Sequence, residues 1–108
     1  MKRYIIKQPS KALFNSEKSY KIGRADINTC FRANIDGDYE VTGYITAEDL
    51  NEVFRIGNTE PDEIEKVGEF YSISCGDIIV DPSNQTCHLV SPIGFTRLGY
   101  DPHFGKVA

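Results

Sequence analysis

The sequence predicts an α+β domain: a mainly antiparallel sheet of five or six strands, with one or two helices packed on one face. Three observations carry this. The last third of the chain reads as three short extended segments separated by turn residues, a C-terminal meander. Leu50, Val53 and Phe54 recur at i, i+3 and i+4, the stripe of an amphipathic helix. Ahead of that helix stand further extended segments, and the 108 residues suffice for one hydrophobic core without a stapling disulfide or metal.

In chain order, Tyr4-Ile5-Ile6 lies between bases and Pro9 and opens as a strand. Residues 10 to 26 are polar with few apolar anchors, and read as a helix or a long loop. Thr29 to Ile35 reads as a second strand closed by the Asp36-Gly37 turn. Tyr39 to Ile45 is again extended, with Gly43 at a bulge or close approach. The main helix is expected to start at Thr46 as N-cap, with Glu48 and Asp49 in its first turn and Gly57 as its left-handed C-cap. A second, shorter helix is expected from Thr59 through Pro61, turning Ile64 and Val67 inward and closing at Gly68. Ile78-Ile79-Val80 reads as a buried strand, Asp81-Pro82-Ser83-Asn84 as a type I turn, Thr86 to Val90 as the hairpin partner and Ile93 to Leu98 as the third strand. The whole is one unit, its core at about residues 3–98 and residues 99–108 a loosely held tail.

Net charge is −4, which argues against a dedicated double-stranded DNA binder, but the charges are segregated. Residues 1 to 24 hold seven bases (Lys2, Arg3, Lys7, Lys11, Lys18, Lys21 and Arg24) against Glu17 alone. Residues 48 to 69 hold eight acids, Glu60, Asp62, Glu63 and Glu65 among them, against two bases. The two stretches read either as poles that dock partners or as solvated faces that pack near each other. Cys30, Cys75 and Cys87 are odd in number and lack CxxC spacing, and no secretory signal or long apolar run is seen, so a cytoplasmic, non-membrane protein is expected.

No catalytic or cofactor motif appears, and neither an enzyme nor a cofactor is expected. Two histidines, His88 and His103, are too isolated for a zinc site, and Cys87 and His88, adjacent in a strand, point to opposite faces. Asp36-Gly37-Asp38 lacks the spacing of a calcium loop, and Gly105-Lys106 lacks the rest of a phosphate loop.

The block Ser72-Ile73-Ser74-Cys75-Gly76-Asp77-Ile78-Ile79-Val80, followed by a turn, a strand and Gly94-Phe95, resembles the YodL-like domain family of Firmicutes, phage and large polyvalent mobile-element proteins. Members carry a Ser-x-Ser-x-x-Asp-hydrophobic-hydrophobic block and a Gly-Phe pair near the domain end. Here these are Ser72, Ser74 and Asp77 with Ile78-Ile79, and Gly94-Phe95. The acidic helix Glu48-Asp49-Leu50-Asn51-Glu52-Val53-Phe54 is similar to the family's helix, and the resemblance spans about residues 3–98. Two features depart from it: Cys87-His88-Leu89-Val90 stands where a Tyr-Tyr-x-Asp-type strand is usual, and Ser10 to Ala25 has no counterpart.

The resemblance implies a non-catalytic interaction module of a phage or mobile element. It would act in the bacterial host cytoplasm by docking on a host or element protein, inhibition of a host enzyme or defence system being one form of such docking. Read without the family, Ser72, Ser74, Gly76 and Asp77 are turn chemistry at a tight entry into the buried strand, and Gly94 lets the Phe95 ring plug the core. The alternative function is single-stranded nucleic-acid binding by the basic segment, with Tyr4, Phe14 and Tyr20 stacking on bases.

Overall fold

The computed structural model describes residues 1–104. Its centre is one six-stranded antiparallel sheet, ordered β3-β2-β1-β4-β5-β6. The strands are β1 (Lys2–Pro9), β2 (Tyr39–Ala47), β3 (Ile64–Lys66), β4 (Ile78–Asp81), β5 (Thr86–Val90) and β6 (Phe95–Tyr100). The α+β class, the strand number and the β4-β5-β6 meander follow the sequence reading. Thr42 is the extra residue where Ile6 faces Gly43 and Lys7 faces Val41, so β2 carries its bulge beside Gly43.

The helices cover both faces of the sheet rather than one. Three of them, α1 (Lys11–Phe14), α2 (Ser19–Gly23) and α3 (Ile27–Ile35), bury Leu13, Ile22, Cys30 and Ala33 against Ile78, Val80, Cys87 and Leu89. The fourth, α4 (Leu50–Thr59), lays Val53 and Ile56 on the opposite face with Tyr4, Ile6, Ile45, Ile79 and Val90. Side chains alternate across β1 and β4, so both faces of these central strands are apolar and each needs its own cover.

Several expected elements differ. Residues 29–35 are helix, not strand. Asp26 accepts from the Thr29 amide at 3.1 Å as N-cap, and Cys30, Ala33 and Asn34, at i, i+3 and i+4, turn inward. Thr46 stays in β2 opposite Arg3, and the cap of α4 is Asp49, which accepts from the Glu52 amide at 2.9 Å while Glu52 reaches back to the Glu48 amide. Gly57 does not end α4. It is buried inside the helix, where a Cβ would stand 2.3 Å from Ile73 Cδ1, so its lack of a side chain lets the 73 segment lie against α4.

The second expected helix is a single 3-10 turn, Pro61–Glu63. Ile64 then enters β3, because β2 offers an open edge that takes three residues in register, and Val67 is exposed rather than inward. The expected loose tail is also corrected for residues 99–104. Tyr100 ends β6, Asp101 reaches into the core, and Phe104 packs on the cluster beneath α1 to α3. Residues 105–108, which include the Gly105-Lys106 pair, lie outside the described residues.

Candidate functional site

Where β1 finishes and β2 begins, the sheet leaves a groove of about 610 Å³ between α1–α2 and the segment 69–77. Phe14, Tyr71 and Ile22 give it apolar walls, and Gln8, Thr42 and Asp77 lie at its polar base. Phe14 and Tyr71 are 69% and 61% exposed, unusual for large rings that share one concavity.

The base is a closed hydrogen-bond set. Gln8 Nε2 donates to the Tyr71 carbonyl at 2.8 Å and to Asp77 Oδ2 at 3.0 Å. Gln8 Oε1 accepts from Thr42 Oγ1 at 2.8 Å and from the Tyr71 amide at 3.1 Å. Asp77 Oδ2 also accepts from the Ser74 amide at 3.0 Å, which is the turn chemistry the sequence suggested for the Ser-x-Ser-x-x-Asp block. One glutamine thus fixes an otherwise irregular segment to the sheet, and the segment carries Asp77 into the groove.

Asp77 is 5% exposed, and among the described residues no cation pairs with it and its Oδ1 makes no hydrogen bond. No fully buried side-chain oxygen or nitrogen among those residues lacks a partner, so Oδ1 keeps some contact with solvent, and Asp77 lines the groove. Burial pushes its carboxyl up to about 6, against the hydrogen bonds from Ser74 and Gln8 that lower it. The ionisable groups around it are Lys11 on α1, Cys30 on α3, Tyr39 and Glu40 on β2, and Glu69 and Cys75 on its own segment.

The folded-state value lies above the unfolded one, so holding this charge costs stability as the pH rises from about 4 to about 6, roughly 3 kcal/mol at neutral pH. Asparagine would accept the same two hydrogen bonds without that cost.

The other residues singled out in the sequence divide differently. Ser72 and Ser74 line the groove beside Asp77, and buried Gly76 holds the tight approach to α2, its carbonyl accepting from the Tyr39 hydroxyl. Gly94 and Phe95 lie apart, at the turn into β6, where the ring packs half-buried on the α4 side. Among the acids, Glu65 takes a bidentate pair from Arg3 at 3.0 Å, and Glu60 contacts Arg55 at 3.7 Å. Asp62 and Glu63 are exposed on the 3-10 turn. The acidic stretch thus meets the basic one at the β1–β2–β3 end of the sheet, and both poles are partly neutralised.

The basic face is corrected more strongly. Lys7 is buried and paired with Asp101 at 3.0 Å, each side chain 5% exposed. Lys2 is bonded to Asp81 at 3.0 Å, and the Arg3 guanidinium also lies 3.9 Å over the Tyr44 ring. Lys11, Lys18, Lys21 and Arg24 remain exposed on and beside α1 and α2, with Arg24 donating to the Tyr20 hydroxyl. Tyr4, expected to stack on bases, is buried at 2%.

Two of the three thiols are buried, and both imidazoles meet a hydrogen-bond partner. Burial, with Asp101 beside it, pushes the Cys87 thiol up to about 12, and burial raises Cys30 as well. His88 is lowered by burial and lies 3.0 Å from Thr86 Oγ1, while His103 Nε2 meets the Asn34 carbonyl at 2.9 Å. Among the described residues no three His, Cys, Asp or Glu side chains stand together as metal ligands, and no helix is long and apolar enough to cross a membrane.

Sequence reasoning reached Asp77, Ser72 and Ser74 but missed Gln8, Thr42 and Tyr71, whose polar atoms complete the site. A polar Gln8 two residues after Ile6, on the same side of the strand, was the available signal. Compared with family models, with curated proteins and with solved structures, the chain matches none of them.

Proposed function

We propose that the chain is a non-catalytic protein-interaction module that docks a segment of a partner protein in the groove above Asp77. One observation carries the reading: two exposed aromatic rings and a buried carboxylate with which no cation among the described residues pairs converge on one concavity large enough for a few residues of peptide. The resemblance to YodL-like domains supports a setting in the cytoplasm of a bacterium, in a phage or mobile element, with a host or element protein as partner and inhibition of a host enzyme or defence system as one outcome.

Nucleic acid is the weaker alternative. Of the seven bases it would use, Lys2, Arg3 and Lys7 are already held by acids.

The test is capture from nuclease-treated bacterial lysate on the tagged wild type, on Phe14→Ser with Tyr71→Ser, and on Glu60→Lys with Asp62→Lys and Glu63→Lys. A stoichiometric protein that the groove variant loses and the acidic-turn variant keeps is the expected result. Loss only on reversing the acids, or recovery only when nuclease is omitted, would overturn the groove reading.

A further inference from the structure

The chemistry of the groove specifies more than a peptide. Three carboxylates line it, Asp77 at the base and Glu40 and Glu69 higher up, against one ammonium, Lys11. Among the described residues no donor reaches Asp77 Oδ1, and the pocket keeps most of the carboxylate from water. A carboxylate in that state gains most from a charge-assisted donor brought by a ligand. Phe14 and Tyr71 offer exposed ring faces in the same concavity.

A planar, weakly hydrated cation satisfies both demands. It donates to a carboxylate through a fork of N–H groups and packs its faces on aromatic rings, whereas a compact ammonium keeps its hydration and stacks less well. Resting on the protein-docking reading above, we propose that the groove takes an arginine side chain of the partner protein, its guanidinium paired with the Asp77 carboxylate and flanked by Phe14 and Tyr71. The remaining volume holds the residues on either side of that arginine, with Glu40 and Glu69 favouring a segment of net positive charge.

The test uses the full chain, labelled for NMR in about 0.15 M salt, where loose surface attraction is screened within about 8 Å. The probes are the blocked peptide acetyl-Ala-Arg-Ala-amide and its counterpart with citrulline, which keeps shape and loses charge. Shifts confined to Gln8, Phe14 and residues 69–77, saturating near about 1 mM and about tenfold weaker with citrulline, are expected. Asp77→Asn, which keeps acceptors for Ser74 and Gln8, should weaken the arginine peptide about tenfold and leave the citrulline peptide unchanged. Equal binding of the two peptides by the wild type would overturn the proposal whether or not the variant folds.

The two readings fail separately. A captured partner lost by the Phe14 and Tyr71 variant but kept by Asp77→Asn leaves groove docking intact and removes the arginine. A partner kept by both variants removes both.

Discussion

Replacing Asp101 by Ala is expected to destabilise the chain by about 3–5 kcal/mol, a large share of the roughly 5–15 kcal/mol that holds a domain together. The carboxylate sits at the start of the segment after β6 and accepts from Lys7 Nζ at 3.0 Å, from Asn34 Nδ2 at 3.3 Å and from the Cys87 thiol at 3.3 Å. Its removal leaves an ammonium, 4% exposed, with the Asn34 amide oxygen as its only side-chain acceptor among the described residues. A thermal melt should fall by more than about 12 °C. The double change Lys7→Met with Asp101→Leu should lose much less, because a buried pair replaced by apolar side chains escapes the desolvation cost of a lone charge. If Asp101→Ala melts within a few degrees of the wild type, the segment after β6 is not the lock that the contacts describe.

The second large effect is expected at Gly76. Its φ is +96°, and a Cβ there would stand 2.2 Å from the Ile22 carbonyl oxygen and 2.9 Å from its carbon. The obstacle is backbone at the end of α2, so no side-chain rotation relieves it. Strain in the left-handed region and overpacking each contribute about 1–3 kcal/mol, so Gly76→Ala should cost about 3 kcal/mol or more in urea unfolding. Gly94→Ala is the control: φ is +76° but nothing lies within 4 Å, leaving only the left-handed strain of about 1–2 kcal/mol. Equal losses at the two glycines would show that close packing of α2 against the Asp77 turn is not what Gly76 provides.

How far the sequence could be read depends on where each signal is stored. The meander was legible because Asp81-Pro82 and Ser91-Pro92 punctuate runs of apolar residues, a local pattern. Residues 29–35 were not, because Cys30, Phe31, Ala33 and Ile35 satisfy a strand as readily as a helix, and the deciding signal was Asp26, three residues before Thr29. The turn at Pro61–Glu63 followed by β3 depends on the open edge of β2, which no local pattern reports.

The same holds for the site. Ser74 and Asp77 are near neighbours, so their turn was readable, but Gln8 and Thr42 meet them only because β1 lies between β2 and β4. Lys7, one of the seven bases in residues 1 to 24, alternates inward on β1 and so leaves the basic face altogether.

The carboxyl group of Asp77 decides most directly whether the groove is built around a buried charge with which no cation among the described residues pairs. A carbon-13 titration of that group should give a midpoint of about 6 in the free protein, raised by its burial, and a lower midpoint with acetyl-Ala-Arg-Ala-amide present. A free-protein midpoint in the ordinary aspartate range near about 4, unmoved by the peptide, would contradict the account.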